Sequence, residues 1–297
     1  MTPRLSVVVC TYNRADLLPG CLESLADQTA DKSAYEVIIV NNNSTDTTQE
    51  IAESFTSREP NFRVVIETAQ GISHARNRGG VEAQGEYVAY IDDDAKARLD
   101  WVSAIIRFFE AEPEAIGVGG PYYAYSTVPI PAWFPKEYGS MSLGNVTRLL
   151  QKGEWISGTN MVFKKYALNE VGGFDTSIGM SGDKVSYGEE PHLTRKMLER
   201  GMKIYYCAEM SVDHAILPNK FRLRWLLRSN FANGYDCVTA FNYPGQAGTY
   251  LPSLGRSMKH ALYLFLFSKE KYLKTRIYRS AGQLLWHVGF FVKLMGW

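Results

Sequence analysis

Strand-length apolar runs alternate with helix-length amphipathic stretches over the first hundred residues. The runs cover residues 5–10, 35–40 and 62–66, and a fourth starts at Tyr87. Between them, residues 15–27 place Leu18, Cys21, Leu22 and Leu25 on one face of a helix, and helices are predicted over 47–57 and 71–83. Strand and helix alternating with short connections predict a mostly parallel sheet with right-handed crossovers.

The second half is less regular. A helix is predicted over 99–111, short strands over 115–119, 156–163 and 203–207, and helices over 164–171 and 189–200. Residues 121–150 are rich in Pro, Tyr and Gly and form a long loop region, of the kind that often binds ligands. Past His214 the pattern turns helical and aromatic. We expect an α/β domain over 1–220 and a helical extension over 221–297.

The fourth strand, Tyr87-Val88-Ala89-Tyr90-Ile91, runs into Asp92, Asp93 and Asp94. An uncharged apolar strand belongs inside a sheet covered on both faces. Ligands of open α/β sheets bind at the carboxyl ends of the strands. Alternation along an extended chain sends Asp92 and Asp94 one way and Asp93 the other. Two carboxylates on one side suit a hard divalent cation shared with phosphate oxygens. A solvated acidic turn is the plainer reading of these acids taken alone.

Composition narrows the class. The chain has 297 residues with 45% hydrophobic and 21% charged content, as in ordinary folded proteins. A net charge of +1 gives no sign of nucleic acid. The four cysteines, Cys10, Cys21, Cys207 and Cys237, form no CxxC pair, so neither a zinc site nor a redox motif is signalled. Buried thiols fit a reducing compartment. The first strand begins at once, and no signal peptide is read. A cytoplasmic protein is expected.

Several stretches in order carry a resemblance. They are Val8-Val9-Cys10-Thr11-Tyr12-Asn13-Arg14, Val40-Asn41-Asn42-Asn43-Ser44-Thr45-Asp46, residues 71–79, Ile91-Asp92-Asp93-Asp94 and Gly188-Glu189-Glu190. Together they resemble the inverting nucleotide-sugar glycosyltransferases of family 2, which have the GT-A fold, over roughly residues 4–225. The resemblance implies a Rossmann-like catalytic domain with a nucleotide-sugar half over about 1–95 and an acceptor half over about 96–220.

It also implies roles. Thr11, Tyr12, Asn13 and Arg14 would meet the nucleotide; an ordinary βα turn with Asn13 as a cap fits the same loop. Asn41, with Asn42 beside it, stands where the family usually has an acid for the base, so the nucleotide is left open among UDP, GDP and dTDP types. Arg76 and Asn77, near a helix N-terminus, would approach the diphosphate; a solvated basic face is the plainer reading. Asp92 and Asp94 match the DxD motif. Asp94 would bind Mn²⁺ or Mg²⁺, Asp92 the ribose or a metal-bound water, and Asp93 also falls on the donor side. His214 stands where some members add a third metal ligand.

Glu189-Glu190 matches the family's Glu-Asp pair, with Glu190 as general base and Glu189 beside the substrate. Two acids at a helix start also favour the helix dipole. Gly158 and Thr159 would pass close to the donor sugar, and Trp133 and Trp155 would stack on sugar rings or simply pack. The acceptor would be a glycan or a lipid-linked acceptor.

The tail places Lys269, Lys271, Lys274, Arg276 and Arg279 between the aromatic stretches 262–267 and 284–292. No run reaches the ~18 apolar residues of a spanning helix. Three uses remain open for it: a peripheral helix on an anionic membrane, a homodimer contact, or packing on the catalytic domain. A nucleotide-sugar-binding protein without turnover and a nucleotidyltransferase are the alternatives to a transferase; an obvious glycine-rich triphosphate loop is missing from the sequence.

Overall fold

The computed structural model describes residues 2–243 and 247–296. The chain forms two compact units. The first holds the residues up to 125, then 139–177 and 189–215; the second holds 126–138, 178–188 and the chain from 216 on. The second unit thus takes in two segments that lie, in sequence, inside the expected α/β domain.

In chain order the strands of the first unit are β1 (Leu5–Thr11), β2 (Tyr35–Asn41), β3 (Phe62–Ile66), β4 (Tyr87–Asp92), β5 (Ala95–Ala97), β6 (Gly117–Gly119), β7 (Tyr122–Tyr125), β8 (Arg148–Leu149), β9 (Met161–Lys164), β10 (Ile204–Tyr206) and β11 (Val212–Ala215). Its helices are α1 (Leu18–Ala26), α2 (Thr48–Arg58), α3 (Ile72–Glu82), α4 (Trp101–Ala111), α5 (Lys165–Glu170) and α6 (Glu189–Leu198). The main sheet has eight strands in the order β3-β2-β1-β4-β9-β6-β10-β8. β3, β2, β1 and β4 run parallel, as the alternation of elements predicts; β9 enters antiparallel between β4 and β6.

Both faces of the sheet are covered. Val7 and Val9 of β1 point into one core with α1 and α4, and Val8 points into the other with Ile38, Val40 and Ala75. This is why β1 and β2 are apolar almost throughout rather than alternating. A second sheet of three strands, β5-β11-β7, continues from the end of β4.

Two predicted boundaries shift. The strand expected over 156–163 starts at Met161, because the Asn160 N–H closes a turn on the Ser157 carbonyl at 2.9 Å. The first helix starts at Leu18 rather than 15. The N–H groups of Leu17 and Leu18 both donate to the Arg14 carbonyl, and Pro19 occupies the first turn, where its missing N–H costs nothing.

The second unit is helical: α7 (Leu223–Ala240), α8 (Ala247–Phe267) and α9 (Leu273–Leu294). α7 and α9 approach backbone to backbone at Gly234 and Gly289; a Cβ at either would overlap a carbonyl of the facing helix. Aromatic packing of Tyr250 on Phe290, rings 5.2 Å apart, and a Ser257–His287 hydrogen bond of 2.9 Å tie α8 to α9. Among the described residues, no helix is long and apolar enough to cross a membrane.

Candidate active site

The carboxyl ends of β1, β2 and β4 lie side by side, with Cys10 paired to Asp92 and Thr11 to Asn41. Beyond Asp92 the chain turns at once into β5, and β5 pairs antiparallel with β11 so that Ala95 faces His214. The Ala215 N–H donates to the Asp94 carbonyl at 2.8 Å. This pairing brings a histidine 120 positions downstream against the acids: His214 Nε2 lies 3.3 Å from Asp94 Oδ1. Asp92, Asp94 and His214 each offer one ligand atom, all within 4.8 Å of one another. Two carboxylate oxygens and an imidazole nitrogen at this spacing fit a divalent ion such as Mn²⁺ or Mg²⁺.

Asp93 points elsewhere, as strand alternation predicts, toward Arg14 at 3.9 Å. Burial, and then the adjacent Asp94, push its carboxyl up to about 7 against the pull of Arg14.

A second cluster surrounds Arg76, which is 3% exposed. Its guanidinium meets three carboxylates: Glu189 at 2.9 Å, Asp92 at 3.3 Å and Glu190 at 3.6 Å. Burial by itself would lower its pKa, but Glu190, Glu189 and Asp92 together hold it above the ordinary arginine value. One cation facing three acids leaves a deficit. Glu189, 5% exposed, carries it: burial and then Glu190 push its carboxyl up to about 8, with Arg76 opposing. Its Oε2 is buried without a hydrogen-bond partner.

Glu190 is more open, with 20% of its side chain exposed, and Oε1 accepts from the Gly158 N–H at 3.1 Å. Gly158 is a glycine for a steric reason. A Cβ there would overlap the Arg76 guanidinium and stand 2.6 Å from Glu190 Oε1. Next to it, the Thr159 hydroxyl donates to Asp92 Oδ2 at 2.6 Å. The 158–159 turn therefore links the metal-type cluster to the Arg76 cluster. Asn160 anchors that turn by accepting from buried Trp101 Nε1 at 2.9 Å.

The other candidates sit around this centre in different ways. Asn13, with φ of 51°, accepts from the Thr45 N–H at 2.7 Å and so knits the first loop to the second rather than capping α1. The Arg14 N–H donates to the Thr48 hydroxyl at 2.9 Å, and the Asn42 N–H to the Thr11 carbonyl at 2.9 Å. Tyr12 is half-buried in the same loop. Asn41 donates to Gln49 Oε1 at 2.7 Å and accepts from the Ser44 N–H at 2.9 Å. Asn42 donates to the Glu67 and Ala69 carbonyls and accepts from the Gly71 N–H at 2.8 Å. Asn77 does not join the Arg76 cluster; both its polar atoms pair with the Phe174 backbone, at 2.9 and 2.8 Å. Trp155 is 40% exposed in the first unit. Trp133 belongs to the second unit, where Lys274 lies 5.1 Å over its ring.

Sequence reasoning missed Tyr122. Its ring meets that of His214 edge-on at 5.5 Å, and burial pushes its hydroxyl up to about 12, with Ser157 opposing and Glu190 and Asp92 adding. Its position in β7, paired alongside β11, carries the signal, and that pairing is not visible in the sequence.

Residues 6–172 match the model of the family described as glycosyl transferase family 2. A glucosyl-dolichyl phosphate glucuronosyltransferase of Haloferax volcanii is 30% identical over 240 residues, covering 78% of this chain and 76% of that protein. Glycosyltransferase AglE of the same organism is 25% identical over 217 residues, covering 73% and 68%. Among solved structures, the mannosyltransferase PcManGT from Pyrobaculum calidifontis, in complex with GDP-Man and Mn²⁺, superposes with a TM-score of 0.65 at 19% identity, covering 99% of this chain and 88% of that one. S. aureus TarS in complex with UDP-GlcNAc superposes with a TM-score of 0.56 at 16% identity, covering 99% and 92%. These last two likenesses are of fold.

Proposed function

The chain belongs to glycosyl transferase family 2 and is a glycosyltransferase; from this we propose that it moves a sugar from a nucleoside-diphosphate donor to a hydroxyl of a glycan or lipid-linked acceptor, with inversion at the anomeric carbon. The observation that carries the reading is the link through Arg76, which touches both Asp92 and Glu190. It holds a metal-type cluster and a half-open carboxylate in one site.

Glu190 is the general base. It takes the proton of the acceptor hydroxyl as that oxygen forms its bond to the anomeric carbon, while the bond from that carbon to the diphosphate oxygen breaks on the opposite face. The Gly158 N–H orients the carboxylate, and Arg76 holds it from the other side. Asp94 and His214, with Asp92, would hold Mn²⁺ or Mg²⁺, which supplies positive charge against the negative charge building on the departing diphosphate. Thr159 fixes Asp92. The loops of Thr11 to Arg14 and of Asn41 and Asn42 shape the nucleotide side, and exposed Trp155 offers a face to a sugar. The name of the Haloferax relative, a transferase acting on a dolichyl phosphate-linked sugar, supports the lipid-linked acceptor.

The test is a thermal-shift panel with UDP, GDP, dTDP and CDP, each with Mn²⁺ and again with chelator, followed by sugar transfer with Glu190→Gln. A ligand at about 100 times its dissociation constant adds roughly 2.7 kcal/mol of stability. A shift with one nucleotide that chelator removes, kept in Glu190→Gln while transfer is lost, is the expected result. Transfer that survives the substitution would overturn the assignment of the base.

A further inference from the structure

The outer face of α8 is apolar where a soluble surface should be polar. Met258, Leu262 and Leu266 recur every four residues along it and are 56%, 59% and 53% exposed. Tyr263 and Phe267 form the next row at 59% and 66%, and Leu273, at the start of α9, is 61% exposed. Ser257 and Ala261 are the buried side of the same helix. Single exposed apolar residues are ordinary, but a continuous patch marks an interaction surface.

Charge says what covers it. Residues 252–274 carry Arg256, Lys259, Lys269, Lys271 and Lys274, all exposed, against one acid, Glu270. Arg279 already holds Glu270 at 3.1 Å. The chain as a whole is near neutral at +1, so this excess is local. A water-exposed apolar stripe flanked by lysines and aromatic rings complements a surface that is apolar beneath and anionic on top. A second copy of the same face would set lysines against lysines.

We propose that α8 and the turn into α9 form a docking surface for an anionic lipid bilayer, the helix lying in the plane of the interface. Met258, Leu262 and Leu266 enter the acyl boundary, and the lysines stay at the headgroups. This inference stands apart from the chemistry of the first unit. It would also bring the enzyme to lipid-linked acceptors.

Co-sedimentation of the full chain tests it. Vesicles of phosphatidylglycerol mixed with phosphatidylcholine are compared with vesicles of phosphatidylcholine alone, at low and high salt, with light scattering for oligomeric state. We expect binding to the anionic vesicles that weakens with salt. Leu262→Glu with Leu266→Glu should abolish it. Replacing Lys259, Lys269 and Lys271 by Gln should weaken it on the order of a hundredfold, from about 1 kcal/mol per residue. Because all five positions are exposed, melting temperature and nucleotide binding should stay unchanged, separating this test from that of the catalytic reading. Failure of the folded protein to bind anionic vesicles at low salt would overturn the proposal. So would a dimer that the two glutamates convert to monomer without any vesicle binding, or equal binding to both kinds of vesicle.

Discussion

Arg76 Nη1 stands 2.9 Å from Glu189 Oε1, two side chains 113 positions apart that are both more than nine-tenths buried. Above the value near 8 at which the Glu189 carboxyl loses its proton, removing one partner of such a pair leaves the other charge without compensation, at a cost of about 3–5 kcal/mol. Arg76→Met should therefore lower stability by roughly that amount, with Glu189, Glu190 and Asp92 left facing one another. Adding Glu189→Gln to Arg76→Met should recover part of the loss. Denaturant melts of the two single variants and the double variant give the coupling, and full additivity would show that the pair does not interact.

The Gly158 site has no room for a methyl group. Gly158→Ala would push a Cβ into the Arg76 guanidinium and to 2.6 Å from Glu190 Oε1. Overpacking of this kind costs about 1–3 kcal/mol. Because the shift falls on the proposed base and the residue that holds it, the larger effect should be on kcat, by about a hundredfold or more, from a displacement on the order of 1 Å. Measured kcat falling no further than stability does would argue against this geometry.

Stability should carry the mark of Glu189. Its carboxyl is raised from an ordinary value near 4.5 to about 8, so between those values the unfolded chain is ionised while the folded chain keeps the proton. The folded state then binds more protons than the unfolded one, and this group's contribution makes stability fall as pH rises through the window. Glu189→Gln removes that slope. Melts between pH 5 and pH 8 should show the variant gaining on the wild type as pH rises; parallel curves would mean that the carboxyl is ionised in the fold.

Much of this arrangement is legible in the sequence because it is local. The apolar run from Tyr87 and the alternation after it fix which way Asp92, Asp93 and Asp94 point, and the structure follows that reading. What is not legible depends on pairing between distant segments. The imidazole of His214, which only the family resemblance marks as a ligand, reaches Asp94 because β11 pairs with β5, and Tyr122, which nothing in the sequence marks, reaches His214 because β7 pairs with β11. Arg76 reads as an exposed basic residue for phosphate, since nothing nearby in the chain announces Glu189 and Glu190 as its partners. Likewise Asn41 and Asn42 read as nucleotide contacts, whereas most of their side-chain capacity goes to loop backbone and Gln49. Short polar residues at strand ends serve both uses, and sequence alone does not separate them.

The three metal-type residues should not be equivalent. Asp92 has partners besides a cation, Arg76 at 3.3 Å and Thr159 at 2.6 Å, so its carboxylate is held in place by the protein. Asp94 faces His214 at 3.3 Å across the space where an ion would sit, and its backbone is fixed by the Ala215 N–H. Asp94→Asn should therefore remove most of the Mn²⁺-dependent part of nucleotide binding, at least tenfold, with little loss of stability. His214→Ala should do the same less completely, because it removes a neutral ligand and leaves both carboxylates. Asp92→Asn should instead weaken the hydrogen bonds that Arg76 and Thr159 donate to this side chain, and should keep part of the metal dependence. Titration of Mn²⁺ against a fixed nucleotide, read by melting temperature, ranks the three. If Asp92→Asn abolished the metal dependence and Asp94→Asn left it intact, Asp92 rather than Asp94 would be the principal ligand.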